Sequence, residues 1–485
     1  MGAKRLGIVG VLACWLATGP GAGAGRDLRM IEAAKRDDVS AVETLAAAGV
    51  DVNARAGDGS TALHWAAQND DPALADALIR KGAKVDATTD LGVTALWVAA
   101  TNSSTATIAR LLSAHANPNI VPPTGRTPLM IASRVGNVDA VRALLAHGAD
   151  PNAKEFAHGQ SALMWAVAER HPDVVRLLLA AHADVQARSS TWMQRQNICC
   201  QLTGGDEDPV VMPQGGFTPL LFAAQYGDAE SAKLLIAAGA DLKAAASDGT
   251  GALVIAAHVG QTGVAEVLLQ AGADANAAGA GYSALHVAAA AGDLAMAKVL
   301  LDHGADPNVR QEKGSPTKRV ASGHSMDRRM VGATPFVLAA HAGHLELMKL
   351  LIAKGADPSI PLKDGRSAVM VLASHGTVEG PRSPDPQAAE AIKLAVKLGT
   401  PVDQADLNGN TALHTAATLR RDMIVQALVD SGAGLEVRNH AGETPLAAAL
   451  KPPPPRAGSD VVDEYGFLLN HTQTAELLRK LGAKS

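Results

Sequence analysis

The sequence predicts an all-α solenoid of about twelve helix-turn-helix repeats, with short β-turn fingers and loop insertions. Three observations predict it. A Gly-x-Thr-x-Leu phrase recurs, most clearly at Gly59 to His64, Gly125 to Met130 and Gly409 to His414. Its copies are nearly evenly spaced. Each copy opens the same unit: an Ala-Ala-type helix, a second helix ending in Leu-Leu, and a Gly-Ala-Asp-x-Asn close. A fixed period of this length means a stacked array of small units and not one globular core. Hydrophobic content of 47% with only 3% aromatic residues fits such an Ala- and Leu-rich stack.

Taken in chain order, residues 1–24 read as an export signal. Lys4 and Arg5 precede the apolar run Leu6 to Leu16, and Ala22-Gly23-Ala24 fits an A-x-A cleavage site. The 11-residue run is too short to span a bilayer. Val11-Leu12-Ala13-Cys14 weakly resembles a lipoprotein box, so lipidation of Cys14 and a membrane tether stand as the alternative. For a bacterial chain either route places the mature protein in the periplasm or outside the cell.

Residues 25–485 carry the array. With the Thr of the phrase as a ruler, copies fall at Leu28, Thr61, Thr94, Thr127, Ser161, Thr218, Gly251, Ser283, Thr334, Ser367, Thr411 and Thr444. The steps are 33, 33, 33, 34, 57, 33, 32, 51, 33, 44 and 33. Each Thr or Ser can cap the first helix. Where Pro comes next, as at Pro128, Pro219, Pro335 and Pro445, its missing N–H costs nothing in the first turn. The second helix shows a 3.6-residue apolar period, as in Val138, Val141, Leu144 and Leu145. It closes at a left-handed position, Gly148 in that copy. His115 and His182 stand there in two others, which predicts a structural role for both. Charged residues at Glu32, Lys35, Arg36, Asp37 and Asp38 suit one end of the array, and Arg479, Lys480 and Lys484 the other.

These residues resemble the ankyrin repeat, with its Thr-Pro-Leu-His-x-Ala-Ala helix start and Gly-Ala-Asp-x-Asn-Ala turn. The resemblance covers roughly Leu28 to Ala483. It implies that His64, His286 and His414, fourth in their phrases, tie neighbouring turns by hydrogen bonds. It also implies that partners touch the concave face, at the finger tips and at the residues just after the paired alanines.

The long steps place insertions at about 188–216, 310–332, 375–387 and 451–467. The first holds Trp192 and the adjacent pair Cys199 and Cys200. Neighbouring Cα atoms lie about 3.8 Å apart, below the ~4.4 Å usual for a bridged pair. The pair is thus a strained vicinal bridge, two thiols or an intermolecular link, and a redox function for it is one alternative. The second insertion is basic, with Lys313, Lys318, Arg319, Arg328 and Arg329 against Glu312 and Asp327. It offers an anion or acidic-partner contact, and envelope attachment is a further alternative.

No phosphate loop, H-E-x-x-H, G-x-S-x-G or C-x-x-C motif occurs. We therefore expect no catalytic residues, no metal and no cofactor. The net charge is −5, and −7 once Lys4 and Arg5 are removed, which argues against a general nucleic-acid binder. The leading expectation is a monomeric, non-catalytic scaffold that binds a protein partner. Phe217, Tyr226 and Tyr282 all fall at contact positions within three successive repeats, with His258 and Val259 between them. Aromatic residues clustered on a polar face mark a candidate hot spot. Packing beneath the Cys199 insertion is the competing explanation.

Overall fold

The structure, a computed structural model, describes residues 27–196, 210–313, 330–374, 385–451 and 473–484. They divide into two compact units, the described residues up to 132 with 142–149 and the described residues of 133–141 and from 150 onward. The first unit holds the pairs α1 (Arg29–Lys35) and α2 (Val39–Ala47), α3 (Ala62–Gln68) and α4 (Pro72–Arg80), and α5 (Ala95–Thr101) and α6 (Thr105–Ser113). The division runs through α7 (Pro128–Val135) and α8 (Val138–Ala146).

The second unit continues with α9 (Ala162–Ala168) and α10 (Pro172–Ala180), then the strands β1 (Thr191–Gln196) and β2 (Val210–Gly215). Next come α11 (Pro219–Tyr226) and α12 (Ala229–Ala237), α13 (Ala252–His258) and α14 (Thr262–Gln270), and α15 (Ala284–Ala291) and α16 (Leu294–Asp302). The last pairs are α17 (Pro335–His341) and α18 (Leu345–Ala353), α19 (Ala368–Ala373) and α20 (Pro386–Lys397), α21 (Ala412–Thr418) and α22 (Asp422–Asp430), and α23 (Pro445–Leu450) and α24 (Gln473–Lys480).

Most of these helices have six to nine residues. Helices that short are unstable alone, so packing must hold them. Within each unit first helices pack on first helices and second on second, as α1 on α3 and α10 on α12. The paired alanines make this possible. Ala66, Ala67, Ala223, Ala224, Ala288 and Ala289 are fully buried, and a larger side chain there would push neighbouring helices apart. Leu78, Leu235, Leu268 and Leu300 fill the space between the two rows.

The capping hydroxyls do what their sequence positions predict. Thr94 Oγ1 accepts from the Trp97 N–H at 3.2 Å, and Thr218, Thr334 and Thr444 cap helices that open with Pro. In three repeats a His joins in. Its Nδ1 faces the N–H of Thr61, Ser283 or Thr411, which the resemblance did not specify. Its Nε2 reaches a carbonyl of the next finger: His64 to Val93 at 2.9 Å, His286 to Ala333 at 3.3 Å, His414 to Glu443 at 2.9 Å. Trp97 stands at the same place in its phrase and donates from Nε1 to the Arg126 carbonyl at 2.9 Å, so an indole replaces the imidazole. Burial pushes the His286 imidazole down to about 4 and lowers that of His64.

The closing Asn or Gln is a second tie between repeats. Asn276 Nδ2 donates to the Gly304 carbonyl at 3.1 Å, while its Oδ1 accepts from the Asp306 N–H at 2.7 Å. Asn53, Asn152, Gln186 and Asn308 make the same two-point bond. His115 and His182 adopt φ of 60° and 61°, the left-handed conformation that their position requires.

The first insertion differs from a plain loop. Its base is an antiparallel hairpin, with Thr191 opposite Gly215 and Gln196 opposite Val210. The polar end of β1 and Pro213 in β2 hid it from the periodicity; Pro is tolerated because a two-stranded ribbon has only edges. Arg188 clamps this base, its Nη1 donating to the Gly216 carbonyl at 2.9 Å and to the Ala245 carbonyl at 2.7 Å. Ala245 is the matching position of the following repeat, so the clamp spans a step of 57 residues. Arg310 bonds the Pro361 carbonyl in the same way across the second insertion. We expect Arg188→Ala to cost about 1.5–3 kcal/mol, the range for hydrogen bonds from a charged group. The change should appear as faster amide exchange at Ser189 and Ser247, and unchanged protection there would count against the clamp.

Candidate partner-binding site

The finger Phe217 and helix α11 build the clearest aromatic surface in the second unit. Phe222 and Tyr226, four residues apart, lie on one helix face. Their rings stack at 6.1 Å with 5° between planes, and Phe217 meets Phe222 edge-on at 5.6 Å. Phe217 is held by backbone pairing with Ser189 at the hairpin base, where its N–H donates to Ser189 Oγ at 2.9 Å. Phe222 is nearly buried, Phe217 half-buried, and Tyr226 is 44% exposed. The result is a three-ring ladder with nearly buried Phe222 at its centre. Phe222 was missed at the sequence level because it occupies a core-facing helix position.

The other expected contact residues sit differently. His258 is 6% exposed and Tyr282 3% exposed. Their rings meet edge-on at 5.7 Å, and Tyr282 Oη lies 3.3 Å from His258 Nε2. Tyr282 turns inward over the end of α13 and packs there, which removes both residues from the presented surface. Val259 is half-buried. The structure therefore brings Phe217 and Tyr226 together and sets His258 and Tyr282 apart as a buried pair.

Two arginines are held by aromatic residues of α9 and α11. The Arg134 guanidinium lies 5.4 Å from the centre of the Trp165 ring, and Trp165 Nε1 donates to Gln160 Oε1 at 2.8 Å. Arg170 Nε donates to the Tyr226 carbonyl at 2.6 Å. In the first unit Lys35 Nζ stands 5.0 Å above Trp65 in the same relation.

Further exposed apolar residues stand on the preceding finger and on β1. Phe156 is 69% exposed, and Trp192 and Met193 on β1 are exposed too. Trp192 meets His158 edge-on at 5.8 Å. Glu155 holds this finger, its carboxylate accepting from the N–H groups of Ala157, His158 and Gln160. An aromatic residue in a turn, where no core face claims it, was the signal that could have found Phe156.

A hollow of about 930 Å³ opens between α1 and α2, lined by Asp27, Arg29, Glu32, Arg36 and Asp38 among others. Asp27 is held at about 2 by the hydrogen bonds of Arg29, with which it pairs at 2.6 Å. Among the described residues, no three His, Cys, Asp or Glu side chains could hold a metal ion, and no helix is long and apolar enough to cross a membrane. Residues 1–24 with Cys14, the pair Cys199 and Cys200, and the loop cations Lys318, Arg319, Arg328 and Arg329 lie outside the described residues, as do most of 375–387 and 451–467.

Comparison with known proteins agrees with the repeat geometry. A family model for ankyrin repeats in three copies matches residues 30–122, 102–189, 194–278 and 220–311, and one for the single ankyrin repeat matches 331–362 and 408–440. Protein PhlB of Serratia liquefaciens is 42% identical over 65 residues, 13% of this chain and 29% of that protein. A Transient receptor potential cation channel subfamily A member 1 homolog of Caenorhabditis elegans is 31% identical over 117 residues, 24% of this chain and 9% of that one. The probable E3 ubiquitin-protein ligase XBOS33 of Oryza sativa subsp. japonica is 29% identical over 130 residues, 24% of this chain and 23% of that one. The chain thus spans less than a third of each of these relatives. The human ASB11 ankyrin repeat domain aligns at a TM-score of 0.40 and 23% identity, over 56% of this chain and 100% of that one. Ankyrin repeats are in general non-enzymatic scaffolds for protein–protein interaction, and by its repeats and the models that match them this chain belongs to the ankyrin repeat family.

Proposed function

We propose that this protein is an exported, non-catalytic scaffold that holds a protein partner on the surface around Phe217, Phe222 and Tyr226. The observation that carries the reading is the exposed Tyr226 ring stacked on a buried Phe222. A rigid aromatic anchor with a packed base loses little entropy on binding, and such residues dominate interface energies. Export rests on the pattern of residues 1–24. It predicts a mature chain beginning at Gly25, whereas a lipidated Cys14 at the mature N-terminus would make the protein membrane-tethered.

The test is a pull-down from the exported fraction with the wild type and with Phe217→Ala/Tyr226→Ala. Losing a hot spot costs about 2 kcal/mol or more, so partner recovery should fall at least ~30-fold in the variant. Equal recovery of the same proteins by both would place the contact elsewhere.

A further inference from the structure

Resting on that reading of the aromatic surface, we infer that its occupant is an acidic segment of a protein, with carboxylates on both sides of an apolar residue. Six residues carry this: Arg134, Trp165, Arg170, Phe217, Phe222 and Tyr226, all in the second unit. They fall into two contact groups, one around Trp165 on α9 and one around the rings of α11, and α9 packs on α11. Arg134 is held over Trp165, Arg170 is held by the Tyr226 carbonyl, and Tyr226 continues into Phe222 and Phe217.

Neither guanidinium forms an ion pair with a carboxylate among the described residues, although most cations of the chain with a described partner do. Lys233 pairs with Glu230, Lys349 with Glu346, and Arg421 with Asp385. Arg170 uses its Nε on a backbone carbonyl. Glu169 is the adjacent exposed acid and is in no described ion pair. Arg binds carboxylates through two parallel N–H groups, and a ring platform excludes water from that pairing. Both cations are pre-positioned by contacts within the protein, so little side-chain freedom remains to be lost on docking. A basic segment would face two fixed positive charges and be rejected.

The experiment is selection of a random peptide library on the full-length protein. The affinity of the best peptide is then measured at low and high salt against wild type, Arg134→Gln/Arg170→Gln and Arg134→Lys/Arg170→Lys. The selected sequences should carry Asp or Glu on both sides of an aliphatic or aromatic residue. The Gln variant should lose about tenfold or more in affinity, the Lys variant less, and salt should weaken only binding to proteins that keep the charge. Unchanged thermal midpoints keep folding out of the comparison. Peptides without acidic excess, or equal affinity for the Gln variant, overturn the inference while leaving the docking surface intact. Peptides that bind the Phe217→Ala/Tyr226→Ala protein as well as wild type overturn the surface itself.

Discussion

Acidifying the protein from pH 7 to pH 4 is expected to remove about 3 kcal/mol of stability from the repeat that contains His286. The imidazole is buried between Ser283 and the Ala333 carbonyl, and both ring nitrogens are engaged. With Nδ1 accepting from the Ser283 N–H, Nε2 carries the proton and donates to Ala333. A second proton would land on the nitrogen that faces a donor. Burial, the largest cause, holds the folded value at about 4 against 6.5 for the free side chain. A base with a depressed folded value binds fewer protons when folded. Its contribution is complete above about pH 6.5 and fades as pH falls from there through 4. His64 is shifted in the same direction for the same reason and adds to the effect in its own repeat.

Native-state hydrogen exchange on α15 is the suitable readout, because stability in a repeat array is local. Protection in wild type should fall over that window, and His286→Gln should flatten the pH dependence. An imidazole that titrates above pH 6 in the folded protein would contradict the assignment.

Gly409→Ala is expected to cost about 2–4 kcal/mol, while Gly432→Ala costs only about 1–2. Both glycines are left-handed, at φ of 78° and 92°. The backbone penalty is therefore shared. The difference lies in their surroundings. A Cβ on Gly409 would stand 2.7 Å from the His440 backbone nitrogen of the next finger, and on Gly432 it would meet nothing within 4 Å. Backbone cannot step aside as a flexible side chain can, so successive fingers would have to separate. Chemical denaturation of the two variants measures the gap, and equal losses would show that finger spacing is soft.

Much of this architecture was legible because it is local and repeated. Thr94 caps because the N–H it accepts from, that of Trp97, lies three residues on. His414 bonds the next finger because that finger lies one period on. The exposed end of the site was legible for a similar reason: Tyr226 stands just past the paired alanines Ala223 and Ala224, where no core is available. The rest was not legible. Phe222 looked like any other core position, and its stacking depends on the α11 backbone and the ring four residues later. Tyr282 shares its repeat position with Phe217, yet Tyr282 is buried against His258, while Phe217 is half-buried and its N–H is bonded to Ser189 of the hairpin base. Left-handed Asp37, Asp70, Ser103, Arg170 and Arg420 also escaped notice, because other repeats use Gly between their helices and these side chains give no such signal.

By itself the sequence determined the period, the helix pair, the caps and the steps at which insertions enter. Each depends on neighbours within one repeat or one period, and those are written in order along the chain. Only the tertiary structure decided which aromatic rings reach solvent and which fill gaps. It alone showed that Arg188 and Arg310 carry the stacking across steps of 57 and 51 residues. Burial and long-range clamps depend on the path of backbone from another repeat. A residue's place in the period does not specify that path.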